Sequence, residues 1–172
     1  MPQAAVITVS DSCYEGRRVD GSGPAVAKTL AASGFQVVKQ VTVPDEQPAI
    51  ADALRSCARK AELVVTTGGT GVAPRDVTPE ATRNVCERLL DGVPELMRAA
   101  GREETIYASL SRALCGTLGQ SLILNLPGSP RGAVTSLTAV LPLVSHALTL
   151  LKGEGTPHPE AKTKSEESTQ RF

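Results

Sequence analysis

Two carboxylates and a handful of glycine-bearing loops are the parts of this sequence that could do chemistry. The stretch "TTGGTGVAPRDVTPEAT" (66–82) carries Gly68, Gly69, Thr70 and Gly71, followed by Asp76. "LPGSP" (126–130) carries Pro127, Gly128 and Ser129, and "VPDE" (43–46) carries Asp45. "TVSDS" (8–12) holds Asp11 and Ser12, and "DGSGP" (20–24) holds Ser22. Glycine lets a backbone come close to a ligand, and turns and helix starts offer N–H groups to anions. Two acids, Asp45 and Asp76, suit a hard cation such as Mg²⁺. Together these residue types describe an edge for phosphate plus metal. It is not a Walker loop, because no Gly-Lys-Ser/Thr follows the glycines.

Each element also has a plainer explanation. A turn needs glycines too, and Asp20 and Ser22 are ordinary turn residues. Asp45 and Ser129 stand where a helix N-cap would stand. Asp76 is harder to dismiss: it lies two residues before Thr78, which already offers a capping hydroxyl. His146 falls within a helical stretch and His158 in the polar C-terminal segment. Neither has a Ser or Cys partner in the sequence pattern, so a nucleophilic triad is not indicated.

The elements that must position these loops alternate between strand and helix. Apolar, β-branched runs at 4–10, 35–43, 61–67 and 120–126 predict buried parallel strands. Helices are predicted at 23–34 and 45–60, from Pro79 through "PEATRNVCERLL", and over "VPELMRAAGREE". A long helix follows "PGSP", with Val134, Leu137, Leu141, Val144, Leu148 and Leu151 on one seam and Val140, Leu143, Ala147 and Leu150 on a flank. Pro142 should kink it. That double flank admits a subunit contact or a wide core stripe. The alternation predicts a three-layer α/β/α domain with a mostly parallel central sheet. In such sheets ligands bind beyond the carboxyl ends of the strands, where the loops at 11–12, 44–46, 68–76 and 127–129 would meet.

Composition narrows the class. The 172 residues fit one domain, expected over 1–152, with a disordered polar tail over 153–172. Lys plus Arg equals Asp plus Glu, 18 each, so no net field draws nucleic acid or acidic lipid. The N-terminus has no signal-peptide pattern, and no uninterrupted apolar run approaches the ~20 residues of a membrane span. A cytoplasmic location is expected. Cys13, Cys57, Cys86 and Cys115 form no C-x-x-C pair, which argues for reduced thiols and against structural zinc.

In this order and spacing, "TVSDS", "DGSGP", "VPDE", "TTGGTGVAPRDVTPEAT", "SRALCG" and "LILNLPGSP" resemble the molybdenum-cofactor biosynthesis domain. That family contains bacterial molybdopterin adenylyltransferases and the G domain of plant and animal molybdenum-cofactor proteins, including gephyrin. The resemblance covers about residues 4–152. It implies a homotrimer that adenylylates molybdopterin with Mg-ATP, releases pyrophosphate, and passes the product to a molybdate-inserting protein. It further implies that Asp45 and Asp76 are the essential acids and metal ligands, and that Gly68 to Gly71 form the substrate loop. Pro127, Gly128 and Ser129 correspond to a second loop on the nucleotide side. Asp11, Ser12 and Ser22 correspond to polar positions near the first strand. One departure stands out: many members carry a basic residue near Leu118-Gly119-Gln120, and this chain has none there. Arg75, Arg112 and Arg131 are the available substitutes for neutralising phosphate. Two rivals are a non-catalytic molybdopterin-binding or scaffolding domain and a dinucleotide-binding oxidoreductase. The second would need G-x-G-x-x-G directly after the first strand, which "SDSCYEG" does not supply.

Overall fold

The computed structural model describes residues 1–153; the expected tail, from Glu154 onward, lies outside the described residues. Six strands form one sheet: β1 (Gln3–Val9), β2 (Gln36–Val43), β3 (Leu63–Thr67), β4 (Arg88–Leu89), β5 (Cys115–Leu118) and β6 (Ser121–Leu126). Their spatial order is β2-β1-β3-β6-β5-β4. The first four in that order are mutually parallel, while β5 pairs antiparallel with β6 and β4 antiparallel with β5.

Helices cover both faces. On one side lie α2 (Ser22–Ala32), α5 (Gly92–Arg102) and α6 (Pro130–Leu151). They pack Val26, Leu30, Met97, Leu137, Val140 and Val144 against alternate residues Val6, Val65, Leu122 and Leu124. On the other side lie α3 (Gln47–Ala58) and α4 (Thr78–Val85). They pack Ile50, Leu54, Cys57 and Ala81 against Ile7, Val64 and Ile123. All five residues of β3 and all six of β6 are buried, as strands covered on both faces must be. Each fully buried Leu or Ile contributes about 1.5–3 kcal/mol.

Several sequence expectations change. The helix expected from Pro79 onward ends at Val85, because Cys86 is extended (φ −74°, ψ 138°). Arg88 and Leu89 then pair with Thr117 and Gly116. The antiparallel strand β5, unforeseen, joins β6 through a turn at Gly119, whose φ is +57°. Neither β4 nor β5 is long enough to show a periodic signal. Asp11–Tyr14 is a single short turn of helix, α1, and Ile106–Leu110 is a 3₁₀ turn. Helix α6 continues through Pro142, which faces solvent. At 22 residues α6 is long and apolar enough to cross a membrane by composition alone. Instead it buries Ala133, Ser136, Leu137, Val140, Val144 and Leu148 in the core.

The parallel register aligns the strand ends. Val9 pairs with Val43, Thr8 with Thr67, and Thr67 with Leu126. The loops that leave Val9, Val43, Thr67 and Leu126 therefore emerge together at one edge of the sheet.

Candidate functional site

Two cavities of about 430 Å³ each open at this edge. They share a wall of Gly69, Asp76, Gly128 and Ser129. The first is polar, with Thr8, Ser10, Arg18, Asp20, Ser22, Asp45 and Gly68 around it. The second takes Thr70, Gly71 and Pro127 from the strand-end loops, and Met97, Tyr107 and Leu110 from the segment after β4. Ten of the expected site residues thus line a cavity; Asp11 and Ser12 line neither.

Asp11 has another task. Its backbone N–H donates to Asp45 Oδ2 (2.8 Å), and the Asp45 N–H donates back to Asp11 Oδ1 (2.9 Å). The Arg75 guanidinium closes the arrangement with Nε and Nη2 on the two Asp11 oxygens, 2.5 and 3.0 Å away. Three loops are tied by one carboxylate. Ser12 shares a hydroxyl contact with Ser10 at 3.2 Å.

Asp45 is therefore not the cap of α3. The cap position is Glu46, with no side-chain capping bond, and the Asp45 carboxyl is turned inward toward Asp11. Burial raises its pKa above the ordinary 3.8, and the charges of Asp11 and Asp76 push the same way. The Asp11 carboxyl moves in the opposite direction, held down first by the Arg75 hydrogen bond and then by the Asp45 N–H.

Thr78 does not cap α4 either. Its hydroxyl donates to the Gly68 carbonyl at 2.9 Å, fully buried, and Val77 occupies the cap position. Gly68 and Gly69 are at φ +98° and +66°, where a side chain is strained. The protein itself fills the space a Cβ would need: it would fall 2.3 Å from the Val9 carbonyl oxygen at Gly68, and 2.3 Å from Thr78 Oγ1 at Gly69. Close packing of neighbouring loops, rather than only ligand approach, requires these glycines. Asp76 Oδ2 accepts the Ala73 N–H at 3.0 Å, so this carboxylate shapes its own loop as well as facing the cavities. Ser129 does cap α6, accepting the Gly132 N–H at 3.2 Å. Ser22 and the Gly23 N–H both bond Asp20, which also receives the Thr8 hydroxyl at 2.6 Å.

The three arginines offered as phosphate partners are all engaged: Arg75 with Asp11, Arg112 with Glu80, and Arg131 with Glu104. Among the described residues, Arg18 lines the polar cavity with no side-chain hydrogen bond or ion pair. Sequence pattern gave no signal for it. Asn125 was also missed. Fully buried, it donates to Thr66 Oγ1 (3.0 Å) and Thr82 Oγ1 (2.9 Å), and its oxygen accepts the Leu114 N–H (3.1 Å).

Asp45 and Asp76 both line the polar cavity, and each keeps one carboxylate oxygen without a protein hydrogen bond. Hard oxygen donors in that number fit Mg²⁺, which is typically held by one or two carboxylates together with substrate phosphates and water. No group of three or more His, Cys, Asp or Glu able to hold a metal exists among the described residues.

The fold is a three-layer α/β/α domain whose paired cavities open at the carboxyl ends of its parallel strands, the edge where such sheets place ligands. Residues 5–146 match the MoCF_biosynth family, described as "Probable molybdopterin binding domain", and the chain belongs to that family. It is 39% identical over 152 residues to the molybdopterin adenylyltransferase of Helicobacter pylori J99, covering 86% of each chain. It is 40% identical to the molybdenum cofactor synthesis protein cinnamon of Drosophila melanogaster, matching 85% of this chain. It spans only 25% of that protein's length, and 47% of a Synechococcus elongatus bifunctional protein. Among solved structures, the molybdopterin biosynthesis enzyme MoaB of Thermus thermophilus superposes with a TM-score of 0.84 at 48% identity, over 89% of this chain and 98% of the other. The tungsten cofactor synthesizing protein MoaB of Pyrococcus furiosus follows at 0.81 and 34%, over 88% and 98%.

Proposed function

We propose that this chain is a molybdopterin adenylyltransferase. The carrying observation is the pair of similar-sized cavities joined by a common wall of Gly69, Asp76, Gly128 and Ser129. A reaction between two bound molecules needs two adjacent compartments and a meeting point. Molybdopterin and ATP would each occupy one. A terminal phosphate oxygen of molybdopterin attacks the α-phosphorus of ATP, the bond from that phosphorus to the β-phosphate oxygen breaks, and pyrophosphate leaves.

Phosphate oxygens are nucleophilic at neutral pH, so the residues need to align and neutralise rather than to deprotonate. Amides at Gly128 and at the start of α6 would face phosphate. Arg18 would supply the uncommitted positive charge. Asp45 and Asp76 would hold Mg²⁺. When bound, that ion offsets phosphate charge and fixes phosphate orientation. The Asp11–Asp45 lock presets Asp45 before any ligand arrives.

The same reading includes a homotrimer, a cytoplasmic location and delivery of the adenylylated pterin to a molybdate-inserting protein. A second reading, molybdopterin binding without transfer, draws on the 48% identity to the Thermus protein, whose name specifies biosynthesis but no reaction. Incubation with molybdopterin and Mg-ATP separates the two. The transferase reading expects pyrophosphate and adenylylated pterin in equal amounts. Pterin binding with no pyrophosphate overturns it.

A further inference from the structure

Arg112 lines neither cavity, yet it hydrogen-bonds the Asp76 loop at Thr70, Gly71 and Asp76. Its backbone N–H donates to the Thr70 carbonyl at 2.8 Å. Its Nε donates to the Gly71 carbonyl at 2.7 Å and its Nη2 to the Asp76 carbonyl at 2.6 Å. Its Nη1 pairs with Glu80 in the first turn of α4. One planar guanidinium thus spans both ends of the segment 71–76 and anchors it to the helix that follows. A planar fork with donors on two edges can do this; an ammonium point charge cannot. Val72, Ala73, Pro74 and Arg75 are exposed, so little apolar packing holds the segment otherwise.

We infer that Arg112 is a positioning residue for adenylyl transfer: it sets the place of Asp76 by gripping the loop on both sides of it, and does not touch phosphate. This rests on the transferase reading above. Its test separates the two.

Four proteins are needed: Arg112→Gln, Arg112→Lys, Asp76→Asn, and Asp76→Asn combined with Arg112→Gln. Arg83→Gln, an exposed change on the same helix α4, is the control. In Arg112→Gln, kcat should fall about 10- to 100-fold, as expected when a reacting geometry loosens by about an ångström, with KM changed less than about threefold. Amide hydrogen exchange should quicken at least about tenfold in residues 70–77 and stay unchanged in β1 and α6. Arg112→Lys should restore less than half of the lost rate. Combining Arg112→Gln with Asp76→Asn should slow turnover no more than about twofold beyond Asp76→Asn alone, because both changes remove the same contribution.

The inference is overturned by additive losses in the double variant, by full rescue with lysine, or by exchange that quickens throughout the domain. Unchanged kcat and unchanged loop exchange in Arg112→Gln overturn it too. If the wild-type protein makes no pyrophosphate, the transferase reading falls, and the exchange experiment alone then decides whether Arg112 holds the loop.

Discussion

The two cavities are made of different material. Around the polar one, the walls are strand-end loops bound to one another by short links: Asp11 with Asp45, Thr8 with Asp20, Thr78 with Gly68. Around the other, Tyr107 is 75% exposed and Leu110 54% exposed, on a 3₁₀ turn that stands outside the sheet. The polar side is preset and can hold charges at fixed separations. The apolar side offers a ring face and aliphatic surface, which suit a flat heterocycle. Where the two meet, Asp76 and Gly128 belong to both. Changes at the shared wall should disturb the joint reaction, whereas changes on one side should disturb one ligand.

The largest effect is expected at the shared wall. Asp76→Asn retains size and an acceptor for the Ala73 N–H, so molybdopterin binding should persist while adenylylation at saturating Mg-ATP falls at least ~100-fold, or about 2.7 kcal/mol. Near-normal turnover in a folded variant would remove Asp76 from the chemistry.

Next comes Gly68→Ala. A Cβ there meets the Val9 backbone carbonyl at 2.3 Å and sits at φ +98°, so stability should drop by about 2–3 kcal/mol. The melting temperature should fall by roughly 5–10 °C, with both ligands weakened together. Loss of one ligand only would show that the loops do not move as a unit.

A one-sided change is smaller. Tyr107→Ala should leave folding intact and weaken one of the two substrates about three- to tenfold in calorimetric titration, the worth of one aromatic contact. Equal weakening of ATP and molybdopterin would erase the distinction between the cavities.

The smallest effect concerns Arg75→Ala. Because the folded-state pKa of Asp11 is lowered, its contribution is fully present above its ordinary value of 3.8 and is lost as pH falls through the lower folded value. Arg75 is exposed and Asp11 partly so, which leaves the pair open to solvent screening, so the melting temperature at pH 7 should shift by no more than ~3 °C. That difference should shrink as the pH falls below 3.8 and vanish once Asp11 is protonated in the folded protein. A difference that persists then would mean Arg75 acts through something other than the Asp11 charge.

Which of these residues the sequence revealed follows from the range of their interactions. Asp45 and Asp76 stood out because each sits in a loop directly after an apolar strand, and the parallel register does bring those loops to one edge. The glycines were recognised for their conformational freedom, but not for the Val9 and Thr78 atoms that occupy the space beside them. Those atoms come from another loop and another helix. Capping roles for Asp45 and Thr78 were plausible locally and lost to partners distant in sequence: the Asp11 N–H, 34 positions away, and the Gly68 carbonyl, 10 away. Arg112, inside "SRALCG", was legible only as a spare positive charge for phosphate; the Gly71 and Asp76 carbonyls it binds lie 41 and 36 positions away. The helix expected through Leu90 gave way to edge pairing with β5, a tertiary preference that outweighs local propensity.

The register of β3 bears on how this protein is made. Its partner on one side, β1, is synthesised earlier, but on the other side Leu63 pairs with Leu122 and Thr67 with Leu126. During translation, the segment Leu63–Thr67, with apolar Leu63, Val64 and Val65, therefore waits as an open edge until some 60 further residues have left the ribosome. Such delayed pairing slows folding and exposes a sticky strand to neighbouring nascent chains. The Asn125 amide, which must reach Thr66 and Thr82, can close the centre of the sheet only after that interval. Shielding by a chaperone should matter most between emergence of β3 and emergence of β6, and a ribosome stalled within that window should yield the most aggregation-prone nascent chain.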